Sequence, residues 1–122
     1  MNGQTLVIPK WHPATLNQLL SSVRARIRLK KRDREMIWAY SHKQAIAKAD
    51  GKRRVSLSIL LRPGQQRADP DAFFKSLLDG LTQAGLLVDD SPEGVELAPL
   101  RLVPTHRRDV WGSIIYLIDL QE

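Results

Sequence analysis

Six residues between positions 69 and 90 have types and spacings that could do chemistry together. Asp69 and Asp71 are separated by one residue, Lys75 follows four after the second, Asp79 four after that, and Asp89 and Asp90 are adjacent. Carboxylates gathered in one place repel each other, which raises at least one pKa unless a cation sits between them. Mg²⁺ suits such a set, because it takes hard oxygen ligands and keeps several waters. A cation held this way can polarise a phosphodiester and activate water. A lysine one helical turn from the second aspartate can stabilise charge developing on the phosphorus oxygens.

A structural role competes for the same residues. Asp69-Pro70-Asp71 has the form of a helix start: Asp suits the N-cap, Pro the first helical position, and a second acid the positive end of the dipole. Asp89-Asp90 can then simply solvate a turn. Capping gives no reason for Lys75 to lie between the acids, whereas hydrolysis does. The metal reading also makes a geometric demand. A helix from Asp71 to Ala84 separates its ends by about 20 Å at ~1.5 Å per residue, so the chain from Leu86 to Asp90 must return as an extended segment alongside the helix.

The elements around this stretch can be read from hydrophobic periodicity. Gln4 to Ile8 alternates and reads as a short strand, followed by a proline-bearing loop. Thr15 can cap a helix on which Leu16, Leu19, Leu20, Val23 and Ile27 follow helical spacing. The pattern continues to Asp50-Gly51 as one long helix or as two, broken near Lys30 to Asp33. Arg53 to Arg62 alternates as a strand, with Val55, Leu57, Ile59 and Leu61 on one face. Phe74, Leu77, Leu78 and Leu81, flanked by Phe73 and Ala84, form the core side of the next helix, and Gly85 can end it in the left-handed conformation. Val95 to Val103 is a strand interrupted by Pro99, and Trp111 to Leu120 is the last and most apolar strand, expected at the sheet centre. This predicts one α+β domain over residues 1–122, in the order β-α-β-α-β-β, with a small mixed sheet packed against two main helices.

Composition narrows the classes. The chain has 122 residues, no cysteine and a net charge of +6. A disulfide framework and a thiolate metal site are therefore excluded. His12, His42 and His106 have no ligand partner at metal-binding spacing. No apolar run approaches the ~20 residues of a membrane span, and the first residues lack the pattern of a signal peptide; the expectation is a cytoplasmic protein with no membrane partner. The positive excess is clustered: Arg24, Arg26, Arg28, Lys30, Lys31, Arg32 and Arg34 fall in one run, and Lys52, Arg53 and Arg54 in another. Such clusters attract polyanions and release counterions when phosphates bind. Arg24, Arg28 and Lys31, with Lys52, Arg53 and Arg67, are the candidates for contact with nucleic acid.

The run DPDAFFKSLLDGLTQAGLLVDDS, residues 69–91, resembles the signature of the RusA family of Holliday-junction resolvases. That signature has Asp-x-Asp-Asn at a helix start, Lys four after the second Asp, Asp four further on, Ala-Gly near the helix end and an Asp pair. Here Asp69, Asp71, Lys75, Asp79, Ala84-Gly85 and Asp89-Asp90 occupy those places, while Ala72 stands where the family has Asn. The resemblance implies a Mg²⁺-dependent endonuclease (Mn²⁺ able to substitute) that works as a homodimer on four-way DNA junctions during recombination and repair. It implies Asp69, Asp71 and Asp90 as metal-binding carboxylates, Lys75 as the lysine near the scissile phosphate, and Asp79 as a structural partner of Lys75. A catalytically impaired branched-DNA or single-strand binding module of the same fold is the alternative that Ala72 motivates. Asp-x-Asp after an apolar strand also occurs in phosphotransferases of the haloacid-dehalogenase type, but there the pair follows the strand tip directly, and here Pro63 to Ala68 intervenes.

Overall fold

The computed structural model describes residues 3–64 and 70–120, with Pro70 and Asp71 described as backbone only. The strand Gly3–Pro9 is β1, and the two helices after it are α1, Leu16–Leu20, and α2, Val23–Lys43. The long strand β2, Arg53–Leu61, is followed by a 3-10 turn over Pro70–Phe73 and by α3, Phe74–Gln83. Strands β3, Val95–Leu97, β4, Arg101–Pro104, and β5, Gly112–Asp119, complete the chain. The result is an α+β domain with a mixed five-stranded sheet.

β5 lies between β1 and β2 and is antiparallel to both. Its central position is what its apolar composition predicts. β3 and β4 both pair parallel with β2, β3 along its first residues and β4 along its last. The expected single strand from Val95 to Val103 is therefore two. Pro99 cannot donate to a ladder, and the chain leaves the sheet around it before rejoining at Arg101.

The alternation in β2 has the expected effect. Val55, Leu57, Ile59 and Leu61 are buried and pack with Leu6, Ile8, Ile115 and Leu117 from the neighbouring strands. α3 closes this core with Leu77 and Leu81, joined by Phe73 from the 3-10 turn. Phe74 and Leu78 are only partly buried, so the core face of this helix is turned slightly from the one its spacing predicts. Gly85 has φ +79°, the left-handed conformation expected after the helix.

The first helical region differs from expectation. Its break falls at Ser21-Ser22, not at Lys30 to Asp33. Thr15 and Gln18 form a reciprocal capping box on α1, and Ser22 Oγ accepts from the Ala25 amide to start α2. Two local caps outweigh a continuous pattern. α2 ends at Lys43, short of Asp50: Ala45 adopts φ +54°, and Gln44 turns away to exchange two hydrogen bonds with the Val7 backbone. Of the apolar residues spaced along this region, Leu19 is buried while Leu20, Val23 and Ile27 are more than 60% exposed. The α2 face that packs inward carries Asp33, Ile37 and Ser41 instead.

Asp33 is completely buried, and both oxygens are used. Oδ1 accepts from Trp11 Nε1 and the Arg32 guanidinium. Oδ2 accepts from the Ala14 amide and the Ser76 hydroxyl. One side chain thus joins the loop after β1, the middle of α2 and the first turn of α3. Asp33→Ala leaves several buried donors without a partner and is expected to cost ~3–5 kcal/mol. Urea unfolding of the purified variant measures this; a loss below about 1 kcal/mol contradicts the role assigned to Asp33.

Candidate functional site

α2 and α3 run parallel. Asp33 meets Ser76, Arg34 meets Asp79, and Ile37 lies against Gly80, where an added Cβ would strike its side chain. The first half of α2 therefore extends level with the 3-10 turn and past it. Arg24, Arg28 and Lys31 are all exposed there, at positions that share one helix face. None of them forms an ion pair among the described residues.

The 3-10 turn sits at the exit end of β2. Phe73 meets the edge of His12, with ring centroids 6.4 Å apart, and His12 Nε2 donates to the Leu60 carbonyl at 2.9 Å. Asp71 belongs to this turn, and Lys75 follows on the first turn of α3, exposed and with no ion pair among the described residues. Asp69 and Arg67 lie outside the described residues. Among the described residues no side chain caps α3, which begins directly from the 3-10 turn with Phe73 at its N-cap.

Asp79 is not the partner of Lys75. It accepts from Arg34 Nε at 2.8 Å and Nη2 at 3.3 Å, a fork across the α2–α3 seam. Arg34 reaches it because the parallel helices bring the two residues level, a relation that spacing within one helix cannot reveal. Asp79 therefore does not neutralise Lys75.

Asp90 is at the other end of the sheet. After α3 the chain does not return as an extended segment. The Leu86 and Leu87 amides both fold back onto the Leu81 carbonyl, and both side chains are buried at the helix end. The Ser91–Gly94 turn then leads into β3, with the Arg53 amide donating to the Gly94 carbonyl. A Cβ at Gly94 would collide with the Asp89 backbone, so the turn closes tightly on this aspartate. The Ser91 hydroxyl is 2.6 Å from Asp89 and 2.7 Å from Glu93 and can give its proton to one of them at a time. Its hydrogen bonds hold both carboxyls below their usual range. Asp89 is thus occupied in shaping the turn, and Asp90 is left exposed. β2 separates this turn from the 3-10 turn by roughly 26 Å, eight steps at about 3.3 Å each. Among the described residues no three His, Cys, Asp or Glu side chains come close enough to hold one metal ion.

The second basic cluster divides. Lys52 is half-buried beside the Asp90 turn, and Arg54 pairs with Glu96 across β2 and β3. Arg53, a candidate for nucleic-acid contact from its place in the cluster, is a core residue. It is 2% exposed. Its Nε donates to Asp119 at 2.6 Å, and the rest of the guanidinium donates to the carbonyls of Ala47, Lys48 and Leu86. Four of its five N–H donors are used in this way, and burial keeps the guanidinium away from a phosphate. Its inward direction follows from the strand alternation, which puts Arg53 on the same face as Val55.

In the sequence His12 is an isolated histidine. The structure places it between Phe73 and Trp111, with the Trp111 ring centroid 5.1 Å away. Burial is the main cause that lowers its pKa below the ordinary 6.5, helped by the charges of Arg62 and Arg32 and opposed by the bond to Leu60. No feature of the linear sequence brings residues 12, 73 and 111 together.

No family model matches the sequence, and no curated protein sequence matches it significantly. Two outcomes test the geometry. Arg53→Ala is expected to lower unfolding stability by ~3–5 kcal/mol, the range for breaking a buried pair, and to leave the salt dependence of any DNA binding unchanged. His12 stays neutral in the folded state over a range in which the unfolded chain binds a proton. Its contribution is therefore complete above pH 6.5 and is lost as pH falls toward the lowered folded value. The urea midpoint should fall over that interval, and less steeply in His12→Gln.

Proposed function

We propose that this chain is a Mg²⁺-dependent, structure-selective DNA endonuclease of the Holliday-junction resolvase type, acting as a homodimer on four-way junctions. The observation that supports it best is a convergence at one end of the sheet. The exposed row Arg24, Arg28 and Lys31, the exposed Lys75, and the turn that carries Asp71 all lie there. Phosphate contacts by the row would position a duplex arm, and Lys75 would stand beside the reacting phosphate.

The donor set fits the cation chemically, since carboxylate oxygens are what Mg²⁺ takes. A single chain nevertheless keeps Asp90 at the opposite end from Asp71. A second copy resolves this: Asp69 and Asp71 of one protomer would hold the ion together with Asp90 of the other. When bound, the ion would supply an activated water and polarisation of the phosphodiester. A two-fold pair then has two identical sites, which suits paired nicks. Trp38, 54% exposed between α2 and α3, offers an apolar surface for the second copy, whereas Phe73 is buried within its own chain.

Cleavage of a labelled four-way junction with Mg²⁺ tests the activity. Asp71→Asn and Asp90→Asn should each abolish it while junction binding persists; full nicking by both variants rejects the proposal. Mixing the two inactive variants tests the shared site. In a mixed dimer one site then has both native aspartates, so an equimolar mixture should recover about a quarter of the native activity. Sites confined to one chain recover none. The binding-module alternative rests on Ala72, which lacks the amide that could orient a carboxylate. It is supported if neither Mg²⁺ nor Mn²⁺ yields product while salt-dependent binding remains.

A further inference from the structure

Two hollows adjoin at the exit end of β2. One, of about 460 Å³, is lined by Lys10, His12, Phe73 and Trp111 among others. The second, of about 450 Å³, shares Arg62 and Trp111 with it and adds Arg108. Together they make one cleft of a size usual for small-molecule recognition. Its described lining combines aromatic rings with cations and contains no acid. The Arg62 guanidinium lies over the Trp111 ring, 4.5 Å from its centroid, and Arg62 is exposed. His12 props Trp111 from the edge, with planes at 74°. Phe73, two residues after Asp71, joins the cleft to the candidate catalytic turn.

We infer that this cleft is a nucleobase subsite, which takes one unpaired base of a strand whose neighbouring phosphates lie along Lys10 and Arg108. Bases stack on aromatic rings and on guanidinium planes, and cations beside the stack follow the backbone. A guanidinium held over an indole puts both kinds of contact at one point. The subsite rests on the nucleic-acid part of the proposed function and adds to it: a branched substrate would have to present a splayed base beside the 3-10 turn. The cationic row on α2 is insensitive to base pairing, so it does not account for the cleft.

The test uses the full chain without divalent cations, so that no substrate is consumed. Fluorescence anisotropy compares an oligothymidylate with an oligomer of equal length and charge that carries no bases. The native protein should bind the oligothymidylate about tenfold more tightly, the scale of one base–aromatic stack. Trp111→Ala should remove that preference while keeping affinity for the baseless oligomer, and Trp111→Phe should keep it. If Trp111→Ala does not fold, Arg62→Ala serves, read as the ratio of the two affinities so that its lost charge cancels. Equal binding of both oligomers by the native protein overturns the subsite but leaves the nucleic-acid reading standing. Binding of neither overturns both. Thymidine monophosphate separates the sources: competition at concentrations similar to the oligomer makes the cleft a free-nucleotide site and overturns its assignment to a strand.

Discussion

Much of this structure depends on one buried carboxylate. Asp33 lies in the middle of α2, completely out of solvent, and receives hydrogen bonds from Trp11, Ala14, Arg32 and Ser76. A buried acid is unfavourable unless its lone pairs are used, and here they are. The constraint is directional. Trp11 and Ala14 hold the loop that carries His12, and Ser76 holds the start of α3 one residue from Lys75. The aromatic cleft and the candidate lysine are thus registered to the same side chain. No buried side-chain polar atom is left unsatisfied among the described residues.

Arg53 plays the matching part at the other end of β2. It ties the strand to Asp119 on β5, to the segment after α2 and to the segment after α3. The two hubs have opposite charge and lie toward opposite ends of the domain. They keep the two acidic stretches apart: the 3-10 turn belongs to the Asp33 end and the Ser91–Gly94 turn to the Arg53 end. Strand β2 and helix α3 between them are packed through Val55, Leu57, Leu77 and Leu81, which gives a single chain no easy way to bring Asp90 to Asp71.

The charge of the molecule divides along the same line. Part of its basic charge is paired. Arg32, Arg34 and Arg53 are bound to Asp33, Asp79 and Asp119, Arg53 in the core and the other two at the surface. What remains on α2 is concentrated before Asp33, beyond the main body of the helix seam. Leu20, Val23 and Ile27 are exposed beside it. The fold thus presents cations, a lysine and an aromatic cleft at one end, and an exposed aspartate at the other.

The sequence by itself determined the α+β class, the β1, β2 and β5 strands, the Thr15 cap and the left-handed Gly85, because these follow from alternation, capping chemistry and the freedom of glycine at positive φ. It also determined the spacing of Asp69, Asp71, Lys75 and Asp90, and so the type of chemistry open to them. Local signals were legible as far as local forces decide the outcome. The break at Ser21-Ser22 was of this kind too, carried by a serine cap that a longer hydrophobic pattern obscured. Only the tertiary structure decided that Arg53 is a core residue, that Asp79 belongs to Arg34, that residues 12, 62, 73 and 111 share a cleft, and that Asp90 lies a strand's length from Asp71. Each of these is a relation between segments far apart in the chain. It is set by the parallel packing of α2 on α3 and by the crossover from β2 to β3, and no period or spacing within one segment encodes it.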